Sequence, residues 1–153
     1  MSLKERLAED VKAAMKGGFA ERRDTVRLIQ SAIKQVEIDS RTDSNVRTEL
    51  DDTQVLGVLE KMLKQRRDSI QQFEAAARHD LADKEKSEVA IIETYMPARL
   101  DESELDALIR DSIAESGATS ARDMGKVMAI LKVKAAGRAD MQVLSARVKA
   151  ALA

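Results

Sequence analysis

Met124-Gly-Lys-Val-Met-Ala-Ile-Leu-Lys-Val-Lys-Ala-Ala-Gly-Arg-Ala-Asp140 is the stretch that decides the reading of the chain. Met124, Val127, Met128 and Leu131 recur at helical spacing, so they fall on one face of a short helix. Lys132 and Lys134 follow as a basic linker, and Gly137 marks a turn. Asp140 then stands where a carboxylate can cap the first amides of a last helix. The stretch shows no catalytic pattern and reads as positive charge presented beside helix ends.

Working outward, the last helix buries Val143, Leu144, Val148 and Leu152. Ser120 with Asp123 opens the helix that carries Met124. Upstream, Asp101-Glu-Ser-Glu104 is a capping box, in which residue and backbone satisfy each other's first amides. Leu105, Leu108, Ile109 and Ile113 form the inward face of that helix, and Gly117 closes it. Tyr95-Met-Pro97 precedes this unit, and Pro97 disfavours helix at Met96. The domain border is therefore expected at about 96–99, giving an N-terminal multi-helical domain, 1–96, and a small C-terminal three-helix domain, 97–153.

The N-terminal part reads as four helices. Ser2 and Glu5 box the first, which shows Leu3, Leu7, Val11 and Met15, with Ala14, on one face and ends at Gly17-Gly18. The second is expected over Ala20–Asp39, with Val26, Ile29, Ile33 and Val36 or Glu37 inward and Phe19 packing at its start. The polar stretch from Ser40 to Thr48 reads as a loop. Asp51 and Gln54 box a third helix whose stripe runs from Val55 through Leu59, Met62, Leu63, Ile70 and Phe73 to about Arg78. Its other face carries Lys61, Lys64, Arg66 and Arg67. After a break at His79-Asp80, the fourth is expected from Leu81 to Tyr95, with Glu85, Glu88 and Glu93 outward or toward those cations.

Composition agrees with an all-α class. Hydrophobic residues make up 44% of the 153, enough for a packed core, while aromatics are only 2% and Pro occurs once. A core of Leu, Ile, Val, Met and Ala suits helix packing better than a sandwich of sheets. The lack of Cys removes disulfides and thiolate chemistry. No apolar run is long enough to span a bilayer, and the charged start, Ser2-Leu-Lys-Glu-Arg6, lacks a secretory pattern. These features lead to the expectation of a cytoplasmic protein without a membrane partner.

The net charge of −1 hides a division. Residues 97–117 hold 2 basic and 6 acidic side chains, whereas 118–153 hold 7 basic and 2 acidic. A local positive field attracts a polyanion whatever the total. The candidate RNA contacts are Lys126, Lys132, Lys134, Arg138 and Lys149, with Gly137 and Asp140 as an anion-binding turn at a helix start. Few aromatics leave little for base stacking, so phosphates and the shape of a folded RNA are the better match. The single His and missing Glu-x-x-His pattern argue against a metal site. No G-x-S-x-G elbow or phosphate-loop motif occurs, so neither a catalytic residue nor a cofactor is assigned.

The order and spacing of several pieces carry a resemblance. They are Ala14-Met-Lys16, Arg27-Leu28, Lys64-Gln-Arg66 through Ser69-Ile70, Arg78-His-Asp80 with Glu85, Tyr95-Met-Pro97, Met124-Gly-Lys-Val-Met128 and Gly137-Arg-Ala-Asp140. Together they resemble, over nearly the whole chain, the free-standing YqeY-like proteins of the GatB/YqeY family. The resemblance implies two helical parts and kinship with the tail of the B subunit of the tRNA-dependent amidotransferase, which engages tRNA rather than performing chemistry. It also implies the family label of a carbon–nitrogen ligase with glutamine as amido donor, and translation-related protein partners. Val133, Ala136 and Met141 depart from the pattern, where Pro, Lys and Gly are frequent. The expected function is a tRNA or structured-RNA binding module, not catalytic by itself. The alternatives are an accessory to glutamine-dependent amide transfer and a protein-interaction module.

Overall fold

A computed structural model describes residues 1–41 and 48–153. The expected loop from Ser40 to Thr48 falls mostly at 42–47, outside the described residues. Among the described residues the chain is all-α: α1 (Leu3–Gly17), α2 (Ala20–Asp39), α3 (Asp52–Ala75), α4 (His79–Glu93), α5 (Glu102–Ser116), α6 (Met124–Lys134) and α7 (Met141–Leu152). A 3-10 turn, Ala121–Asp123, leads into α6. The contacts separate into two compact units, Met1–Met96 and Pro97–Ala153.

In the first unit, α3 lies along α4 and α1 along α2, with α2 also touching α4. The capping boxes at Ser2 and Asp51 form as their spacing predicts. Gly18 ends α1 at φ 73, a left-handed conformation that costs glycine least. The core joins Leu7, Val26, Ile29, Leu59 and Ile92, none more than 1% exposed. Asp52 accepts from the Leu3 amide at 2.9 Å, so the first turn of α3 caps the start of α1 as well.

Three expectations for this unit change. Ala14 turns inward and Met15 is exposed, because the face of α1 toward the core admits one of the two neighbours. Phe19 is exposed and packs beside Gly17, where an added Cβ would lie 2.5 Å from its ring. The third helix stops at Ala75 rather than Arg78. Ala77 takes φ 57, and two bonds close the end, from Arg78 N to Phe73 O at 2.8 Å and from Ala77 N to Glu74 O at 3.0 Å. This is the Schellman arrangement with Ala at the left-handed position, and it lets α4 start two residues early, at His79.

In the second unit, α5 and α7 both pack on α6. Leu105, Ile109, Val127, Leu131, Ala135, Leu144 and Val148 form its core. The capping box at Asp101 and the left-handed end at Gly117 form as predicted. Val143 is exposed, and Leu144 fills the inward position beside it. Ser120 makes no side-chain cap; the Asp123 carboxylate accepts from the Thr119 amide at 3.0 Å instead.

Candidate nucleic-acid interface

The predicted cations of the second unit fall into two groups. Arg138 is occupied by the fold. Its Nε donates to Ala98 O at 2.9 Å, and its guanidinium lies 3.7 Å from Glu104. Its own carbonyl accepts from the Leu100 amide at 3.0 Å. Arg138 therefore ties the turn before α7 to the segment that enters α5. Lys134 pairs with Glu115 at 2.5 Å. Arg147 bridges Glu102 at 2.6 Å and Asp106 at 3.2 Å, and these carboxylates raise its already high pKa.

The other group is open. Lys132 and Lys149 are exposed and form no ion pair among the described residues. Lys126 is 72% exposed, and its one ion pair among the described residues is with Asp123, at 4.0 Å, the outer limit of an ion pair. Arg122, on the 3-10 turn, is likewise exposed and unpaired among the described residues, and sequence reasoning did not single it out. Lys126 and Lys132 border the solvent face of α6, which carries Gly125, Ala129 and Val133. Among the described residues nothing lies within 4 Å of a Cβ built on Gly125, so the helix surface is open at that position.

The predicted anion-binding turn has a different occupant. Gly137 adopts φ 70, which makes the turn possible. The Asp140 carboxylate then accepts from the Gln142 amide at 2.8 Å. One amide of the helix start is thus taken by a fixed negative charge, which opposes a second anion there.

On the third helix, the predicted basic face also divides. Arg66 bonds Glu88 at 2.9 Å with Glu85 at 3.9 Å, and Arg67 bonds Glu93 at 3.1 Å. The glutamates of α4 therefore turn toward α3. Lys61 and Lys64 remain exposed.

One polar cluster was not foreseen. Tyr95, 3% exposed, donates its hydroxyl to Asp10 at 2.5 Å and accepts from Arg22 at 3.3 Å. Arg6 stacks over its ring at 4.7 Å and donates to Thr94 O. Burial and the Asp10 carboxylate push the phenol up to about 12, so it stays protonated and serves as a donor. The Tyr-Met-Pro motif marks the place, but its partners lie 85 and 73 residues away in sequence. The remaining buried hydroxyl of note, Ser112 Oγ, has no hydrogen-bond partner among the described residues. A nucleophilic serine needs a base within reach.

Among the described residues no group of three or more His, Cys, Asp or Glu could hold a metal ion, and no helix is long and apolar enough to cross a membrane. Among the described residues the fold is all-helical and carries several exposed lysines. The family description "Yqey-like protein" matches residues 4–152, and the chain belongs to that family. Its relatives include "Altered inheritance of mitochondria protein 41, mitochondrial" of Kluyveromyces lactis, 38% identical over 60% of this chain and 47% of the relative. The protein of the same name from Pyrenophora tritici-repentis is 32% identical over 85% of this chain and 71% of the relative. That of Lachancea thermotolerans is 33% identical over 71% and 57%. The chain spans about half the length of the Kluyveromyces relative.

These names correct the cytoplasmic expectation, since the relatives are called mitochondrial. The expectation rested on a charged N-terminal stretch and missing Cys. Neither feature distinguishes the cytosol from the interior of an organelle.

Proposed function

We propose that the chain binds a structured RNA, tRNA in the first instance, through the open cations of its second unit, and that it does so without catalysing a reaction. The observation that carries this reading is the contrast between Arg138, Lys134 and Arg147, which are held by carboxylates or backbone, and Lys132 and Lys149, which form no ion pair among the described residues, with Lys126 reaching Asp123 only at 4.0 Å. Unpaired surface cations bring an RNA phosphate in without first breaking an ion pair. The open helix surface at Gly125 would let a backbone approach between Lys126 and Lys132. The relatives' names suggest a mitochondrial setting for this activity.

The triple variant Lys126→Gln, Lys132→Gln, Lys149→Gln tests the surface. All three side chains are exposed, so the fold should be kept while tRNA affinity falls by about tenfold or more. Equal affinity in variant and parent would remove this surface from the account. A protein-interaction reading has its own support in Val133 and Val143, which are 64% and 43% exposed. Partner capture that survives nuclease and high salt would favour it.

A further inference from the structure

We infer that the first unit carries a second, separate anion site: a small polar cavity that takes a single phosphate group. The cavity, about 230 Å³, is lined by Lys4, Lys34, Glu37, Arg41, Thr48 and Glu49. It opens between the start of α1, the last turns of α2 and the residues leading into α3. Nothing in this inference depends on the cations of the second unit.

The charge accounting points to an anion. Glu37 is 5% exposed and already satisfied, for its Oε2 accepts from Lys4 Nζ at 2.7 Å and from the Leu50 amide at 3.0 Å. The Lys4 hydrogen bond, with the Leu50 amide behind it, holds the carboxyl below the usual glutamate range despite its burial. Lys4 and Glu37 thus neutralise each other. Lys34, whose charge also acts on Glu37, and Arg41 are left with the exposed Glu49, so the lining among the described residues holds three cations, Lys4, Lys34 and Arg41, against two carboxylates, Glu37 and Glu49. Lys34 forms no ion pair among the described residues. The Nε of Arg41 is shielded from solvent and has no hydrogen-bond partner among the described residues. A buried guanidinium N–H without an acceptor is rare, and its desolvation is repaid only when an acceptor arrives.

The dimensions select the class of ligand. The volume lies below the range of roughly 300–1,000 Å³ usual for drug-sized ligands, which leaves room for one oxyanion and a few waters. A guanidinium fork matches the oxygens of a phosphate, and a lysine nearby adds a point charge. The phosphate could be free inorganic phosphate, the phosphate of a mononucleotide or the 5′ end of an RNA.

The test titrates the full-length chain with inorganic phosphate at constant ionic strength, read by backbone amide shifts and melting temperature. Adenosine monophosphate and a short 5′-phosphorylated RNA form parallel arms that separate the three sources. Saturable shifts at Lys34, Arg41 and Thr48 are expected in at least the inorganic phosphate arm. Arg41→Gln should weaken binding by about tenfold or more, as the loss of a charge-assisted bond implies, and Lys34→Gln by a smaller factor. Lys16→Gln, in the last turn of α1 and outside the cavity lining, should leave it unchanged. No saturable shift in the parent by about 10 mM phosphate, weaker than any millimolar site, overturns the inference. So does equal phosphate affinity in parent and Lys34→Gln, which keeps the test decisive should Arg41→Gln misfold.

Discussion

In residues 1–96, charged side chains from different helices meet one another. Lys4 of α1 reaches Glu37 of α2, Arg66 of α3 reaches Glu88 of α4, and Arg22 of α2 meets Asp10 of α1 and Tyr95. In residues 97–153 the cations are divided. Arg138 and Arg147 fasten the entry and the last helix to α5, while Lys132 and Lys149 form no ion pair among the described residues and Lys126 meets Asp123 only at 4.0 Å. The comparison teaches that counting charge is a poor guide to a binding surface. The useful quantity is charge left over once the fold has taken its share. An exposed pair adds at most about 1 kcal/mol to stability, so the open lysines are not there to hold the unit together.

The largest expected effect breaks the smaller unit alone. We propose that the two units fold as independent domains. Leu131 is fully buried in the second core, and Leu131→Ala should cost about 3 kcal/mol, a large fraction of what a small domain possesses. Amide exchange should lose protection across α5–α7 while α1–α4 keep theirs. Loss of protection in both would show one cooperative body and contradict the division.

Next in size is Glu37→Gln. It strips the charge from a nearly buried carboxylate that holds Lys4 and the Leu50 amide, and should cost about 2 kcal/mol, less than a fully buried pair because Lys4 is partly exposed. Its pH dependence has a definite sign. The folded pKa is depressed, so the unfolded chain binds more protons in the window below about 4.3, the ordinary glutamate value. The contribution of Glu37 is complete above that value and is lost as pH falls through the folded pKa. Chemical denaturation between pH 5 and pH 3 should therefore show a steeper loss in the parent than in the variant, and parallel losses would contradict the assignment.

Tyr95→Phe should cost about 1 kcal/mol, since Asp10 and Arg22 can still pair at 3.5 Å when the hydroxyl is gone. A loss above about 3 kcal/mol in thermal unfolding would mean that the ring cluster organises more than its hydrogen bonds. The smallest effect has the opposite sign. Ala77 sits at φ 57 in the end of α3, and Ala77→Gly should stabilise by about 0.5–1 kcal/mol by removing the left-handed strain. A decrease in melting temperature would contradict that reading of the turn.

Much of the fold was legible because helix signals are local. Ser2, Asp51 and Asp101 each sit three residues before a Glu or Gln, and each forms its capping box. The spacing of Val26, Ile29 and Ile33 named a buried face before any neighbour was known. What periodicity lacks is depth. It could not choose between Ala14 and Met15, or between Leu144 and Val143, because the choice depends on the helix opposite. The candidate site was legible as a list of cations and no further. Whether Arg138 is free or tied to Ala98 depends on a contact spanning 40 residues, and the Asp10–Tyr95 bond spans 85. Asp140 was read as part of an anion-binding turn, yet the same capping geometry that identified it also places its carboxylate on the amide.

The most direct test of the central claim is the salt dependence of tRNA affinity, measured for the parent and for the Lys126, Lys132, Lys149 triple glutamine variant. The account predicts that affinity in the parent falls steeply and log-linearly with salt. It also predicts that the variant's slope is shallower by about 2–3, as expected when three phosphate contacts with their released counterions are lost. Identical slopes in the two proteins, or no tRNA binding by the parent at low salt, would contradict it.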